Sequence, residues 1–362
     1  MSTKIAFFIS YHGFGHATRA AAVMQALEEI NSSVHFEIFT KAPQWLFQDS
    51  LCNAFNYHSI QTDVGLIQKS AFEIDFDQTL RCLNAFYPIA QSRISELSCT
   101  IRQLGCEAIL CDIAPLGILV GRETGIPTIL IENFTWDWIY QEYLTTDKRI
   151  QPCIEYLQQL FNAADYHIQT KPVCNGQAAD LETEPVSRKI GTSGSKIRER
   201  LGMASGRKMV LITTGGIPEH YEFFEKLLTF RDIYFVVPCS VQKMQTRQNV
   251  ILLPHHSEFY HPDLVNASDA VVGKLGYSTL AEVYRSGVSF GYIPRSNFRE
   301  SGKMAAFVET EISGTPIEES EFKNGRWTAK LKGLLSIPRE QRRVANGADQ
   351  ISRFLMGLLK KK

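Results

Sequence analysis

The sequence predicts an α/β fold made of two doubly wound, Rossmann-like domains that face each other across a cleft. Strand-like and helix-like segments alternate along the chain, which is typical of a parallel sheet covered by helices on both faces. The alternation restarts after a polar stretch near the middle, and glycine-containing loops join strands to helices in both halves. With 362 residues, of which 44% are hydrophobic, the chain is long enough to bury two such cores.

The N-terminal half opens with the apolar strand segment KIAFFIS, which is followed by the helix-like segment ATRAAAVMQALEEI. Ala20, Met24, Leu27 and Ile30 recur there at helical spacing, so we expect them to share one buried face. The pattern continues with the strands VHFEIFT, EAILCDI and IPTILIEN and the short helix PLGILVGRETG. Ligands of such sheets bind where strands end and helices begin, so the loops at those points are the candidate sites.

The C-terminal half repeats this organisation. Its predicted strands are KMVLITTGG, DIYFVVPCS, NVILLPHH, DAVVGKLG and VSFGYIP, and its helix STLAEVYRSG ends at Gly287. The polar stretch LETEPVSRKIGTSGSKIRERLGMASGRK lies between the two halves. We therefore predict an N-terminal domain over residues 1–186, a C-terminal domain over 187–338, and a C-terminal helix within 339–362 that packs back on the N-terminal domain.

Composition excludes several classes of protein. The 38 basic residues balance the 38 acidic ones, so the basic surplus of a nucleic-acid-binding protein is missing. The eight cysteines contain no CxxC pair, which favours reduced thiols in a cytoplasmic protein over a zinc site or disulfides. No apolar run reaches the ~18 residues of a membrane span, and we expect neither an integral membrane segment nor a signal peptide.

The loop YHGFGHATRA, over residues 11–20, connects the first predicted strand to the first predicted helix, and its glycine pattern has two interpretations. Gly13 and Gly15 match two glycines of a dinucleotide-binding fingerprint, and Glu37 lies at about the spacing of its ribose-binding acid. Thr18, however, occupies the third glycine position. This dehydrogenase interpretation also leaves the two histidines of the loop unexplained.

The second interpretation begins from the histidine at the start of the helix. An imidazole can accept a proton from a hydroxyl nucleophile near neutral pH, and a carboxylate commonly fixes its tautomer. His16 opens the predicted helix, and Asp112 ends a later strand of the same predicted sheet. We therefore predict a catalytic base with an orienting acid, while a capping or packing role for His16 is the structural alternative.

The longer motifs resemble those of GT-B glycosyltransferases, the group that includes the nucleotide-sugar transferases of small molecules and the peptidoglycan N-acetylglucosaminyltransferase. The sequence is more similar still to the glycosyltransferase-like N-terminal region of plant L-arabinokinases. The matching motifs extend over nearly the whole chain: YHGFGHATR, CDIAP, NFTWDWIYQEY, GGIP, ASDAVVGKLGYSTLAE and NGRW.

This resemblance implies that His16 is the general base and that Asp112 assists it. His12 is a second candidate for the base, although a contact with substrate is the preferred role. The implied reaction is inverting and metal-independent, because GT-B enzymes as a group need no bound metal. We therefore expect no metal and no cofactor, and the nucleoside-diphosphate sugar is a co-substrate.

The resemblance also implies that the C-terminal domain binds the donor. Lys274 stands where plant nucleotide-sugar transferases carry a diphosphate-contacting histidine, and Glu282 stands where they carry the ribose-binding acid. Gly276 lets the backbone approach phosphates, and the following helix N-terminus favours anions. The predicted diphosphate and ribose contacts are Gly15, Gly215, Gly216, Lys274, Gly276, Tyr277, Ser278, Thr279 and Glu282.

The contacts to the nucleotide base and to the sugar are implied by the same resemblance. Pro254 and His255 occupy the place where such enzymes hold the nucleotide base. At the sugar-binding end the sequence departs from the family, because Phe298 and Arg299 replace an acid and a glutamine. The usual donor sugars therefore cannot be assumed. The predicted sugar contacts are Asn297, Arg299 and Glu300.

Aromatic and acidic residues of the N-terminal half are candidates for binding the acceptor. The motif FTWDW contains Trp136 and Asp137, and an aromatic face beside a carboxylate suits a polyhydroxy molecule. Asp63 in DVGLIQ and the histidine His12 complete the predicted acceptor set. A packed aromatic corner is the structural alternative for this motif.

Together these observations predict a cytoplasmic glycosyltransferase that transfers a sugar, from a UDP-sugar by default, to an acceptor hydroxyl with inversion. Its partners would be the nucleotide sugar and a small-molecule or glycan acceptor, without nucleic acid. A sugar-nucleotide 2-epimerase of the same fold and a non-catalytic nucleotide-sugar sensor are the alternatives. The sequence does not predict an oligomeric state.

Overall fold

The computed structural model describes residues 3–215 and 223–360, which form two compact α/β units. Unit 1 comprises Met1–Gln68, Ile74–Arg188 and Ala345–Lys362, and unit 2 comprises Lys69–Glu73 and Lys189–Val344. Each unit is built around one mainly parallel sheet with helices, so the predicted α/β fold of two doubly wound domains is confirmed.

Seven parallel strands form the sheet of unit 1 within the described part of the chain, in the order β3-β2-β1-β4-β5-β6-β7. They are β1 Lys4–Ile9, β2 His35–Thr40, β3 Asn56–Ser59, β4 Ala108–Asp112, β5 Thr128–Glu132, β6 Tyr166–Thr170 and β7 Leu181–Thr183. The central strands are buried along their length, as expected of strands covered on both faces. The strand order reverses between β1 and β4, which makes their carboxyl ends the topological switch point of the sheet.

The sheet of unit 2 is also mainly parallel, and its strand order also reverses once near the centre. Among the described residues its strand order is β10-β11-β9-β8-β12-β13-β14, and only the β10–β11 pair is antiparallel. The strands are β8 Lys208–Thr213, β9 Ile233–Cys239, β10 Gln245–Arg247, β11 Val250–Pro254, β12 Ala270–Lys274, β13 Ser289–Ile293 and β14 Gly314–Pro316. Here the switch point lies between the ends of β8 and β12.

Helices connect the strands in both units. In unit 1 they are α1 Gly15–Ile30, α2 Trp45–Gln48, α3 Phe76–Phe86, α4 Gln91–Leu104, α5 Pro115–Thr124, α6 Trp136–Gln141, α7 Gln151–Phe161 and α15 Gly347–Leu359. In unit 2 they are α8 Gly194–Arg200, α9 Phe224–Leu227, α10 His261–Ala267, α11 Tyr277–Ser286, α12 Glu300–Glu311, α13 Glu319–Lys323 and α14 Leu331–Ser336. Short 3-10 helices cover Glu142–Thr145, Lys148–Ile150 and Arg326–Lys330.

Two details differ from the sequence-based expectations. The expected buried face of α1 holds for Ala20, Met24 and Leu27, but Ile30 is 47% exposed because it is the last residue of the helix. The polar stretch between the halves is also more ordered than a simple linker. Its start forms β7, which pairs with β6, and a later part forms α8 in unit 2.

The chain returns to unit 1 after unit 2 is complete. α15 packs against α1, and Asn346, at its N-cap, donates from its side-chain amide to the Ser187 carbonyl oxygen at 2.7 Å. Val344 is the last residue of unit 2, so the final helix is a structural part of the first sheet's covering layer.

Candidate active site

The predicted base and its acid meet at the switch point of the unit 1 sheet. Ile9, the last residue of β1, lies opposite Asp112, the last residue of β4. The loop after β1 turns through Gly13, whose positive φ of 68° favours glycine, and α1 begins at Gly15. His16 is therefore in the first turn of α1, directly beside the end of β4.

His16 and Asp112 form a hydrogen bond in the interior of unit 1. His16 Nδ1 lies 2.8 Å from Asp112 Oδ1, and the two residues are 6% and 0% exposed. Because an ionised carboxylate only accepts hydrogen bonds, the proton of the bond belongs to Nδ1. In that tautomer the lone pair of the ring is on Nε2, which is the atom that a general base needs.

Arg19 completes this cluster, and the sequence-based prediction did not include it. Its Nε donates to Asp112 Oδ2 and its Nη2 to Oδ1, both at 2.7 Å, which is a bidentate ion pair. Its Nη1 donates to Asn133 Oδ1 at 2.6 Å. Arg19 follows His16 by three residues, so both side chains leave the same face of α1. The three-residue spacing of His16 and Arg19 in the segment HATR could have predicted that they lie on the same face of the helix.

The electrostatics of Asp112 follow from these partners. Complete burial by itself would raise the pKa of this carboxyl, but the charge and hydrogen bonds of Arg19, together with those of His16, outweigh burial and lower it. Asp112 is therefore ionised, and its charge is shared between a permanent cation and an imidazole. Ile113, the next residue, has a positive φ of 42°, which is a strained conformation for a β-branched residue.

Three of the predicted acceptor residues lie together around His16. The ring of His12 packs edge-on against Trp136 with centroids 5.2 Å apart, and Trp136 lies 6.0 Å from the ring of His16. Trp136 Nε1 donates to Asp63 Oδ2 at 2.7 Å. Burial raises the pKa of Asp63 to about 6, although hydrogen bonds from Ser10 and Trp136 and the nearby His16 act in the opposite direction.

Asp137, the fourth predicted acceptor residue, lies elsewhere in unit 1. It lines a cavity of about 320 Å³ together with Thr135 and His167, and none of the other three predicted acceptor residues lines that cavity. Burial raises the pKa of Asp137, although the nearby Thr135 hydroxyl and backbone groups act against this. Trp136 and Asp137 are adjacent in the first turn of α6, where successive side chains project about 100° apart.

In unit 2, the predicted diphosphate contacts Gly215 and Gly276 lie close to Lys274 at the switch point of the sheet. Lys274 is the last residue of β12, and β8 ends beside it at Thr213. A Cβ at Gly215 would lie 3.4 Å from Lys274 Cε, and one at Gly276 would lie 3.8 Å from it. Gly215 also has a positive φ of 69°. Gly216 lies outside the described residues, and Gly15 is in unit 1.

The helix that follows β12 holds the remaining donor residues. α11 begins at Tyr277 after the N-cap Gly276, so the backbone N–H groups of Tyr277, Ser278 and Thr279 belong to its first turn. Glu282 lies in the next turn and is 3% exposed. Its Oε2 accepts a hydrogen bond from His261 Nδ1 at 2.6 Å, a partner that the sequence-based prediction missed.

The residues predicted to contact the nucleotide base lie at the carboxyl ends of the strands in unit 2, as Lys274 does. Pro254 ends β11, which is separated from β12 by β9 and β8, a span of ~14 Å at the usual strand spacing. His255 and His256, the last residues of the predicted strand NVILLPHH, follow β11 in a bend, so the strand ends two residues earlier than predicted. Burial lowers the pKa of His255, whose Nε2 has no hydrogen-bond partner among the described residues.

The predicted sugar contacts are arranged around an arginine that was not predicted. Glu300 begins α12 and is buried, and its Oε1 accepts a hydrogen bond from Arg295 Nη2 at 2.7 Å. The guanidinium of Arg295 stacks on Phe298, 3.5 Å from the ring centroid. Asn297 is exposed and Arg299 is partly exposed. Glu300 is therefore paired with a cation.

Three further findings concern the dehydrogenase interpretation, metal-binding clusters and membrane-spanning helices. The carboxylate of Glu37 accepts hydrogen bonds from His58 and Asn56, both at 2.8 Å, so it is engaged inside the sheet and not placed as the ribose acid of a dehydrogenase. In the described part of the chain, no cluster of three or more His, Cys, Asp or Glu side chains is arranged to hold a metal. Nor does any helix in those residues have the length and apolarity needed to cross a bilayer.

Comparison with curated proteins confirms the resemblance predicted from the motifs. The chain is 25% identical over 337 residues to L-arabinokinase from Arabidopsis thaliana, a match that covers 92% of this chain and 32% of that protein. It is 25% identical over 229 residues to a UDP-N-acetylglucosamine–N-acetylmuramyl-(pentapeptide) pyrophosphoryl-undecaprenol N-acetylglucosamine transferase from Bacillus licheniformis, covering 54% of this chain and 58% of that protein. The chain thus spans about a third of the length of the L-arabinokinase and somewhat over half of the length of the N-acetylglucosamine transferase. No protein-family model matches it.

Solved structures show the same fold. The spinosyn forosaminyltransferase SpnP is similar with a TM-score of 0.66 and 12% sequence identity, over 99% of this chain and 100% of that one. At this identity the similarity establishes the architecture only. The chain therefore has the GT-B fold of this transferase.

Proposed function

We propose that this protein is a metal-independent, inverting glycosyltransferase that moves a sugar from a nucleoside diphosphate to an acceptor hydroxyl. The observation that supports this most strongly is the hydrogen bond between His16 Nδ1 and Asp112 Oδ1 at the switch point of unit 1. It fixes the tautomer in which Nε2 can take a proton from a hydroxyl. The sequence relatives include a transferase with a nucleotide-sugar donor in its name.

The proposed chemistry is a single displacement. His16 Nε2 removes the proton of the acceptor hydroxyl while its oxygen attacks the anomeric carbon, and the bond from that carbon to the diphosphate breaks. Attack from the side opposite the leaving group inverts the anomeric configuration. Asp112 stabilises the imidazolium that forms, and Arg19 keeps Asp112 ionised and fixed in position.

The donor is proposed to bind at the switch point of unit 2. The departing diphosphate carries the largest new charge of the reaction, and Lys274 with the first turn of α11 supplies a cation and backbone donors there. Glu282 is proposed to accept hydrogen bonds from the ribose hydroxyls. Uridine is the default base, and no further cofactor is part of the proposal.

The acceptor is proposed to contact the aromatic and acidic group beside His16. Trp136 is itself 1% exposed, and the half-buried His12 lies against its ring, so His12 is the proposed contact for a sugar or another polyhydroxy molecule. Asp63 holds the indole N–H and so orients the ring. Asp137 is not part of this group, because it lines a different cavity.

The first test is a thermal-shift panel with UDP, GDP, ADP, dTDP, CDP and their sugars. A ligand that binds only the folded protein raises the unfolding midpoint by mass action. We expect one diphosphate to stabilise the wild type and to lose this effect in Lys274→Ala. Lys332→Ala, which removes an exposed lysine elsewhere in unit 2, is the matched control and should respond like the wild type. Absence of stabilisation by every nucleotide contradicts the donor assignment.

The second test is turnover with the nucleotide sugar that binds. His16→Ala should lower kcat by about 10²–10⁴-fold while the affinity for the nucleotide stays unchanged. A product with retained anomeric configuration contradicts the inverting mechanism. Isomerised nucleotide sugar in the absence of acceptor identifies an epimerase instead, and tight binding without turnover of any acceptor identifies a sensor.

A further inference from the structure

The cavity that Asp137 lines in unit 1 does not include the residues around His16. Its volume is about 320 Å³, and it lies between the sheet, the end of α7 with the residues that follow it, and the loop that links β6 to β7. Leu130 of β5, His167 of β6 and the α6 residue Asp137 contribute to its wall, with Thr135 just before that helix.

Strand alternation places this cavity on the opposite face of the sheet from the His16 cluster. Successive side chains of a strand point to opposite faces, so Leu130 and Glu132 share one face of β5. Asn133, the next residue, points the other way and binds Arg19. β6 repeats this separation: Gln169 binds Glu132, whereas Thr170 lies 3.5 Å from Arg19 Nη1.

Two polar atoms in the wall of the cavity are buried with incomplete hydrogen bonding. Thr135 and Asp137 are each 4% exposed, and neither Thr135 Oγ1 nor Asp137 Oδ1 makes a hydrogen bond of ordinary geometry within residues 3–215 and 223–360, although the Thr135 hydroxyl is close enough to Asp137 to favour its ionised form. Leaving such groups unpaired costs free energy, so native proteins rarely do so without a reason. Both atoms can accept a hydrogen bond, and the carboxylate can do nothing else while it is ionised.

The histidine of the cavity cannot supply the missing donor. His167 Nε2 lies 2.7 Å from Glu132 Oε1 and its Nδ1 lies 3.2 Å from the Ala178 carbonyl oxygen. Both ring nitrogens therefore face acceptors, which requires the doubly protonated imidazolium. The pKa of His167 is raised in agreement with this, because the hydrogen bond and charge of Glu132 outweigh the effect of burial.

The charge balance of the cavity is negative. The imidazolium of His167 compensates Glu132, which is itself 1% exposed. Oδ2 of Asp180, a residue exposed to solvent, accepts the backbone N–H of His167 at 2.7 Å, and Asp137 adds a buried carboxylate. Among the described residues that line the cavity there is no lysine or arginine. The wall of the cavity is therefore complementary to a ligand that donates hydrogen bonds and carries positive charge.

We propose that this cavity binds a small molecule that carries a protonated primary amino group. The ammonium group donates one hydrogen bond to Asp137 Oδ1 and another to Thr135 Oγ1, so it satisfies both buried acceptors and neutralises the excess charge. An ammonium group has three donors and no acceptor, which matches this set of atoms. The inference does not depend on the proposed transferase activity, since it involves neither the donor residues nor His16.

The test is calorimetric titration of the full chain with D-glucosamine, ethanolamine and putrescine at neutral pH. D-glucose and ethylene glycol are the neutral counterparts of the first two probes. We expect saturable binding of at least one amine with one site per chain, and affinity for its neutral counterpart that is weaker by about tenfold or more. Equal affinity for the neutral molecule, or no binding of any of the three amines, overturns the proposal.

Variants assign the binding to this cavity. Asp137→Asn keeps the shape but removes the charge, and it should weaken amine binding by about tenfold or more. Asp77→Asn makes the same charge change at an exposed position of α3 and should bind like the wild type. Asp137→Asn removes an unpaired buried charge, so it is expected to fold. Thr135→Val is a second variant that should also weaken binding, and wild-type affinity in both overturns the proposal.

Discussion

Arg19 binds both carboxylate oxygens of Asp112 at 2.7 Å, from a position one helical turn beyond His16. The carboxylate that orients the imidazole is thus held by a permanent cation as well. Without Arg19, a buried carboxylate would have only a titratable partner. With it, Asp112 stays ionised and fixed whether or not His16 carries an extra proton, which is what a reversible base requires.

Arg19→Met should destabilise the protein by about 3–5 kcal/mol at pH 7, because it leaves Asp112 as a buried charge without its cation. The measurement is urea unfolding followed by tryptophan fluorescence. Three of the four tryptophans, Trp45, Trp136 and Trp138, are in unit 1, so the signal reports mainly on this unit.

The matched control is the double variant Arg19→Met with Asp112→Leu. Replacing a buried ion pair by apolar residues of similar volume is often neutral or stabilising, so the double variant should recover much of the loss. If the single variant is no less stable than the double one, the compensating role of Arg19 is wrong.

Asp63→Asn should stabilise the protein above pH 6 and have little effect near pH 4. The folded pKa of Asp63, about 6, lies above its ordinary 3.8, so the stability that the wild type has below 3.8 is lost as the pH rises through 6. A shift of about two units corresponds to roughly 3 kcal/mol at most. Asparagine avoids this cost and still accepts the Trp136 N–H.

Chemical unfolding at pH 4, 5, 6, 7 and 8 measures this difference. The exposed variant Asp77→Asn is the control for the loss of one carboxylate and should show no comparable pH dependence. A stability difference between Asp63→Asn and the wild type that is the same at pH 4 and pH 8 contradicts the assignment of the raised pKa.

His261→Leu should weaken the binding of a nucleoside diphosphate by about tenfold, because Glu282 loses the 2.6 Å hydrogen bond that fixes its carboxylate. His261→Asn keeps a donor close to the position of Nδ1 and should retain most of the affinity. Competition with the nucleotide selected in the thermal-shift panel gives the dissociation constants.

A 2′,3′-dideoxy nucleotide separates positioning from a general structural effect. If Glu282 binds the ribose hydroxyls, the dideoxy compound lacks that interaction, and its affinity should be the same in the wild type and in His261→Leu. An equal loss of affinity for both nucleotides shows that His261 supports only the structure of the pocket.

The strand and helix pattern of this chain could be predicted because it is local. β1, β4, β8 and β12 coincide with short apolar runs, and the loops after β1, β8 and β12 contain the glycines that mark turns toward helices. His16 and Asp112 could be paired from sequence because parallel strands bring their carboxyl ends to one edge.

The partners of these residues could not be predicted in the same way. Arg19 meets Asn133 across 114 residues, and nothing in the local pattern around either residue indicates that contact. Asp137 was grouped with Trp136 because they are adjacent, but adjacent residues of a helix project in different directions. Arg295 pairs with Glu300 only because the turn between β13 and α12 folds back on itself.

One face of β5 and β6 contacts Arg19 of the His16 cluster, and the other carries Glu132 and His167 beside the cavity. This arrangement limits where the chain can gain or lose residues. A single inserted residue within β5 would exchange the faces of the residues that follow it, moving Glu132 toward Arg19 and Asn133 toward His167. Substitutions in this strand alter one face at a time, whereas an insertion or a deletion alters both. Natural or engineered length changes in this part of the chain are therefore expected in the loops, and insertion scanning should find these two strands among the least tolerant segments.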